Sequence, residues 1–244
     1  MKSILRDNRA GESARPTGPM TARRILRYDS VDSTQRLAAH EPLGTVVVAE
    51  EQTAGQGRHG HSWHSEAGTG LYCSIVLKPT PLLTLALGLA AVEAIAKVTG
   101  LTCDLRWPND LMIGPKKLGG ILVQLINGNA IAGIGINVRQ THFPEGLEAT
   151  SLHLAGREAC ATELLDALLP CIDEMIQHPP ETILRLFTQA SSYAAGRRVT
   201  VDQPGGLITG TTAGLNPEGY LIVRQDDGTD TLILAGGVRA AAVS

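Results

Sequence analysis

After Gly196 the chain changes texture, and that change constrains its fold more than any other feature. The run "RRVTVDQPGGLITGTTAGLNPEGYLIVRQDDGTDTLILAGGV" alternates short strand-like segments with Gly, Asn-Pro and Asp-Gly turns. That rhythm predicts a small β-barrel or sandwich. Upstream the pattern is mixed. "RRILRYDSV" reads as a strand, and "DSTQRLAAH" starts a helix that Ser33 or Thr34 is suited to cap. "TVVVAEEQ" is β-branched and apolar, a buried strand. "LYCSIVLK" is another strand, with Leu71, Cys73, Ile75 and Leu77 on one face.

Residues 82–99 form a long helix ended by Gly100, and "TCDLRW" is a strand. "WPND" breaks it, because Pro108 has no N–H for a ladder. "KKLGGILVQLI" and "AIAGIGINV" flank "NGN", a hairpin signal. Helices follow over 160–177, bent near Pro170, and 181–193. The expectation is an α+β protein. Residues 1–23 are a disordered basic leader, 24–194 a mixed sheet with packed helices, and 195–244 a compact all-β domain.

Only 3% of the residues are aromatic, so the core must be aliphatic. No uninterrupted apolar run is long enough to span a membrane; the most apolar stretch carries Glu93 and Lys97. Arg and Glu interrupt the N-terminus before a signal-peptide core can form. Cys73, Cys103, Cys160 and Cys171 lack metal-ligand spacing and read as reduced thiols of a cytoplasmic protein. Residues 1–27 hold seven basic and two acidic side chains, net +5; with −3 overall, the remainder carries −8. An acidic body argues against nucleic-acid binding.

The polar signals sit at the ends of these elements. "EQTAGQGRHGHSWHSEAGTG", residues 51–70, holds five glycines, three histidines, Arg58 and Trp63 between two strands. Glycines let a backbone approach a ligand closely, and an arginine offers an oxyanion a planar fork. "DST", "WPND" and "KKLGG" likewise place polar groups beside sheet ends, where sites form. Each also has a plain reading. Ser33 and Thr34 would only cap, Asn109 and Asp110 would only turn, and Lys116 and Lys117 would only be solvated. Their joint occurrence in this order is what weighs against coincidence. His59, His61 and His64 fit no regular zinc-ligand spacing.

"GQGRHGHSW", "RWPNDL", "KKLGGILVQ" and "GIGINV", in that order, resemble the biotin protein ligase family over residues 24–244. The resemblance implies the biotin/lipoate ligase catalytic fold followed by an SH3-like C-terminal domain. It implies a cytoplasmic enzyme that joins biotin to ATP, with magnesium, and then transfers biotin from biotinyl-5′-AMP to a lysine of a carrier domain, as in acetyl-CoA carboxylase. About two dozen irregular residues precede the catalytic part, too few for the winged helix of the repressor members. The monofunctional form is expected. Family members associate through sheet edges in some cases, so a homodimer is one expectation.

By the same resemblance Lys117 and Arg58 are the catalytic residues, with spacing to Leu118-Gly119 favouring Lys117 over Lys116. Ser33, Thr34, Gln35, Gln52, Gln56, Gly57, Arg58 and Lys117 would bind biotin. Gly55, Arg58, Trp63, Asn109, Asp110, Lys117 and Asn137 would bind the nucleotide, Trp63 giving the adenine an apolar face. Asp110 is the candidate magnesium ligand, and it equally suits a turn after Pro108. The family loop reads Gly-Arg-Gly-Arg-x-Gly-Arg, whereas Gln56 and His61 stand at two of its arginine positions here. Trp107 is expected to pack beneath the turn. The rival readings are a lipoate or octanoate ligase of the same fold, and a biotin sensor without catalysis.

Overall fold

The computed structural model describes residues 23–203 and 205–241. The expected disordered leader therefore lies outside the described residues, except Arg23, which pairs with Asp173. In chain order the elements of the first body are β1 Ile25–Val31, α1 Thr34–Ala38, β2 Val46–Gln52, β3 Gly70–Leu77, α2 Leu83–Thr99, β4 Asp104–Arg106, β5 Asp110–Ile113, β6 Lys116–Ile126, β7 Asn129–Asn137, α3 Ala161–Met175 and α4 Pro180–Ala190. The second comprises β8 Ala195–Gln203, β9 Gly206–Leu215, β10 Leu221–Arg224, β11 Asp230–Ile233 and β12 Val238–Ala240.

The first seven strands form one sheet in the order β1-β2-β3-β7-β6-β5-β4. β1 and β2 run parallel, joined through α1; the other pairs are antiparallel. At its centre, β3 is buried along its whole length. Side chains alternate across a strand, so Leu71, Cys73, Ile75 and Leu77 join the main core while Tyr72 and Ser74 face the other way. Register carries that division into β7, where Tyr72 lies opposite Gly135 and Ser74 opposite Gly133. One face of the sheet is thus packed by the long helices; on the other, α1 covers a small apolar patch of Val47, Val76 and Ile131, and polar groups and glycine lie beside it.

Helix α2 is apolar on nearly every side, which suits a helix buried between the sheet, α3 and α4. Gly100 ends it in a left-handed conformation (φ 69°), donating its N–H to Ala96. Helix α3 runs continuously through Pro170. Pro170 and the Asp166 it cannot bond are both exposed, so the lost hydrogen bond falls on the water side.

The last five strands form a separate antiparallel sheet, β11-β10-β9-β8-β12. Its Val199, Val201, Leu221, Val223 and Val238 are continuous with the main core. A polar tie reinforces the junction: Trp107 Nε1 donates to Gly219 O at 2.9 Å. Gly219 has φ 83°, and a Cβ there would collide with Leu82. Among the described residues no helix is long and apolar enough to cross a membrane.

Candidate active site

On the sheet face away from α2 lies an open cavity of about 1600 Å³. Its floor is bare main chain at Gly120, Gly133 and Gly135. A Cβ on Gly133 would stand 2.6 Å from Gln35 Oε1, and one on Gly135 would stand 2.6 Å from the Trp63 ring. Real Cβ contacts are longer, so Gln35 and Trp63 sit where they do because these positions carry no side chain.

One end of the cavity is a neutral polar wall. Thr34 donates from its N–H (2.9 Å) and its hydroxyl (3.0 Å) to Gln52 Oε1. Thr34 Oγ1 also meets Ser74 Oγ at 2.8 Å, and Ser74 Oγ meets Gln35 Oε1 at 3.0 Å. Two hydroxyl protons thus serve three contacts, and the chain of acceptors is one donor short. Gln35 is anchored from the far side by donating to Ile131 O at 2.8 Å; Gln52 donates to Ser65 Oγ at 2.9 Å. Ser33 occupies the N-cap position of α1, but its hydroxyl caps nothing. It is fully buried, lines the cavity and has no protein partner. The expected capping role is corrected here: the backbone turns as a cap does, and the hydroxyl faces the cavity wall instead.

The other end is cationic. Arg58, in a single 3-10 turn at Arg58–Gly60, donates to Asn109 Oδ1 at 2.9 Å. Asn109 in turn donates to Ile121 O at 3.0 Å, so the "PND" turn fixes the guanidinium. Burial pushes the Arg58 pKa down, against the pull of Asp110. Asp110 is shared: Oδ2 accepts from Arg106 at 2.7 Å, and Oδ1 lies 2.5 Å from Lys117 Nζ. The Lys117 ammonium stands 5.5 Å from the Trp63 ring centre. Three cations against one carboxylate leave this end electropositive and suited to phosphate.

The segment 139–150 closes a third side. Lys117 N–H donates to Glu148 O and Thr150 N–H to Lys117 O, both at 2.9 Å, stitching the segment to the strand that carries the lysine. Asn137 donates to Thr150 O at 2.9 Å; its side chain anchors this segment. Phe143, Pro144 and Leu147 line the cavity, as do Gly236, Gly237 and Arg239 of the second sheet.

All thirteen residues singled out in the sequence line this one cavity. Lys116 does not line it, whereas Lys117 does. Arg106, Ser74 and the Phe143–Leu147 stretch were not anticipated. The alternation of "LYCSIVLK" held the signal for Ser74, a lone polar residue opposite an apolar face. Arg106 stood beside a recognised motif. Trp107 is buried and bonded to Gly219, as a packing role requires. Among the described residues no group of three or more His, Cys, Asp or Glu is placed to hold a metal.

Residues 27–140 match the biotin/lipoate A/B protein ligase family model, and residues 195–238 match the biotin protein ligase C terminal domain. The chain is 33% identical over 229 residues to the bifunctional ligase/repressor BirA of Bacillus subtilis, an alignment covering 84% of this chain and 70% of that protein. The chain belongs to the biotin protein ligase family. A biotin–[acetyl-CoA-carboxylase] ligase of Mycobacterium tuberculosis is 31% identical, with 80% of this chain and 77% of that protein covered. Among solved structures, the Aquifex aeolicus biotin protein ligase in complex with biotin and ATP superposes with a TM-score of 0.81 at 32% identity. That match covers 89% of this family member and 99% of the Aquifex chain. The α+β class, with a mixed sheet followed by an all-β sheet, is the fold expected from the sequence.

Proposed function

We propose that the chain is an ATP-dependent biotin protein ligase acting through biotinyl-5′-AMP on one lysine of a biotin carboxyl carrier domain. The observation that carries this reading is the polarity of the cavity. A neutral ring of hydroxyls and amides lies at one end, a cluster of Lys117, Arg58 and Arg106 at the other, and a flat glycine floor runs between them. A ligand with an uncharged hydrogen-bonding head and an acid tail fits that gradient, and biotin has that form.

In the first step a biotin carboxylate oxygen attacks the α-phosphorus of ATP. A C–O–P bond forms, the bond to the β-phosphate breaks, and pyrophosphate leaves. Two anions must meet, so fixed cations offset the charge that develops. Lys117, at the cationic end where it meets the glycine floor at Gly120, serves there. Arg58, held by Asn109, flanks the mixed anhydride and keeps it from water. The head of the ligand supplies the N–H that the Thr34–Ser74–Gln35 chain lacks, and its carbonyl takes the Ser33 hydroxyl. In the second step the carrier lysine attacks the acyl carbon and AMP departs.

Magnesium belongs to the expected reaction, but Asp110 does not fit as its ligand. Both carboxylate oxygens are engaged by cations, and among the described residues no group of three or more His, Cys, Asp or Glu is placed to hold a metal. In this reading the ion arrives on the ATP phosphates, and no step runs through Asp110. A cytoplasmic location is part of the same proposal.

The test is exchange of labelled pyrophosphate into ATP, with biotin, lipoate and octanoate run side by side. Exchange with biotin alone supports the assignment. Exchange with lipoate moves the enzyme to the rival substrate, and biotin binding without exchange makes it a sensor.

A further inference from the structure

Arg106 and Lys117 meet the same carboxylate from opposite sides. Arg106 on β4 is registered directly across from Asp110 on β5. It places Nε at 3.2 Å and Nη2 at 2.7 Å on the single oxygen Oδ2. Lys117 on β6 takes the other oxygen, at 2.5 Å. All three side chains are largely screened from solvent, with 20%, 15% and 27% of their surfaces exposed. At that burial, charge interactions exceed those of an ordinary surface pair.

We propose that Arg106 is a positioning residue that makes Lys117 releasable. The inference rests on the reading of Lys117 as the group that moves onto the substrate anions. In the described state Lys117 is held by Asp110. To serve a carboxylate and a phosphate it must exchange that partner for them, and two effects of Arg106 make the exchange favourable. As a permanent cation beside Lys117, it weakens the grip of Asp110 on the ammonium. Once Lys117 has left, it remains the counter-ion of Asp110, so no bare carboxylate faces the incoming phosphates. An uncompensated charge in a part-buried site is costly. Arginine suits the role because its fork holds one oxygen through two N–H groups and leaves the other oxygen free for the lysine.

The role differs from that of a substrate-binding cation, because Arg106 acts through Asp110. Replacing Arg106→Gln leaves Asp110 to Lys117 alone. The prediction is a rise of about tenfold in KM for ATP in the pyrophosphate exchange assay. Arg106→Lys, which keeps the charge, restores most of the loss.

A second readout needs no turnover. In the ligand-free protein, Lys117 is labelled with a small acylating reagent and its rate followed by peptide mass spectrometry, with thermal melting as the check on folding. Slower labelling of Lys117 in Arg106→Gln than in wild type, with other lysines unchanged, supports the proposal. Equal or faster labelling overturns it, whatever the exchange assay gives. A fall in kcat not rescued by Arg106→Lys also overturns it, since Arg106 would then touch the reacting phosphates itself. If wild type shows no exchange with any acid, the ligase reading fails, and the labelling result still decides whether Arg106 governs Lys117. If Arg106→Gln does not fold, the same comparison is made with Arg106→Lys, whose single contact predicts an intermediate labelling rate.

Discussion

Replacing Ser33→Ala should make the ligand-free protein more stable and a poorer binder of biotin. Ser33 is fully buried and its hydroxyl has no protein partner. It stands at an N-cap without capping, so alanine forfeits no helix bond there. An unpaired buried polar group costs about 1–3 kcal/mol. Because Ser33 lines an open cavity, the lower part of that range applies, about 1–2 kcal/mol. For a chain of this size each kcal/mol moves the melting temperature by about 2–4 °C, so a rise of about 2–8 °C is expected. The same hydroxyl is the proposed donor to the biotin carbonyl, and a neutral hydrogen bond is worth about 0.5–1.5 kcal/mol net. Biotin affinity should therefore fall about twofold to twelvefold. Calorimetric melting without ligand and titration with biotin measure both effects on one sample. Lower stability without ligand, or biotin binding equal to wild type, would refute the reasoning. Opposite signs for stability and binding would mark Ser33 as a residue kept for its ligand.

Other tests reach different parts of the molecule. Lys117→Ala should abolish biotin-dependent exchange while melting as wild type; wild-type turnover would transfer the role elsewhere. Arg58→Gly should still form the adenylate but release it, and labelling of bystander lysines in a mixed-protein assay would reveal the escape; labelling confined to the carrier counts against retention by Arg58. Trp107→Phe removes the donor to Gly219 O and leaves a buried carbonyl unpaired, costing about 1–3 kcal/mol. Its melting temperature should drop while KM for biotin holds. Burial pushes the Cys73 thiol up to about 12 from an ordinary value of 9.0. Between those two values the unfolded chain loses a proton that the folded chain keeps, so stability is intact below pH 9 and declines as pH rises toward 12. The contribution of Cys73 approaches about 1.4 kcal/mol per pH unit in that window. Denaturant titrations across it should show a shallower decline in Cys73→Ala.

Local sequence carried most of the architecture, because alternation and turn chemistry are local. Leu71, Cys73, Ile75 and Leu77 announced the core face of β3, and "NGN" announced the β6–β7 hairpin, where Asn127 and Gly128 both take positive φ. Helix ends lie within three residues of their expected places. What could not be read locally was partnership. Ser33 looked like a cap because composition cannot say where a hydroxyl points. Asn137 is expected at the nucleotide and lines the cavity, and its amide also anchors the Thr150 carbonyl, a partnership no motif announces. Asp110 was read for a metal because nothing in "WPND" says that strand pairing will set Arg106 opposite it and the β5–β6 ladder will bring Lys117 within reach. The 139–150 segment lacks any motif, and its bonds to Lys117 and Asn137 give it a place at the site.

The glycine floor also limits what the cavity can be made to accept. Pockets are usually widened by trimming the side chains beneath the ligand, and at Gly120, Gly133 and Gly135 nothing remains to trim. Larger or longer acids must be accommodated from above, by repositioning Trp63 or Gln35, or along the open length toward Phe143. Engineering this enzyme toward new labels is therefore a problem of its roof, and its foundation is already at its lower limit.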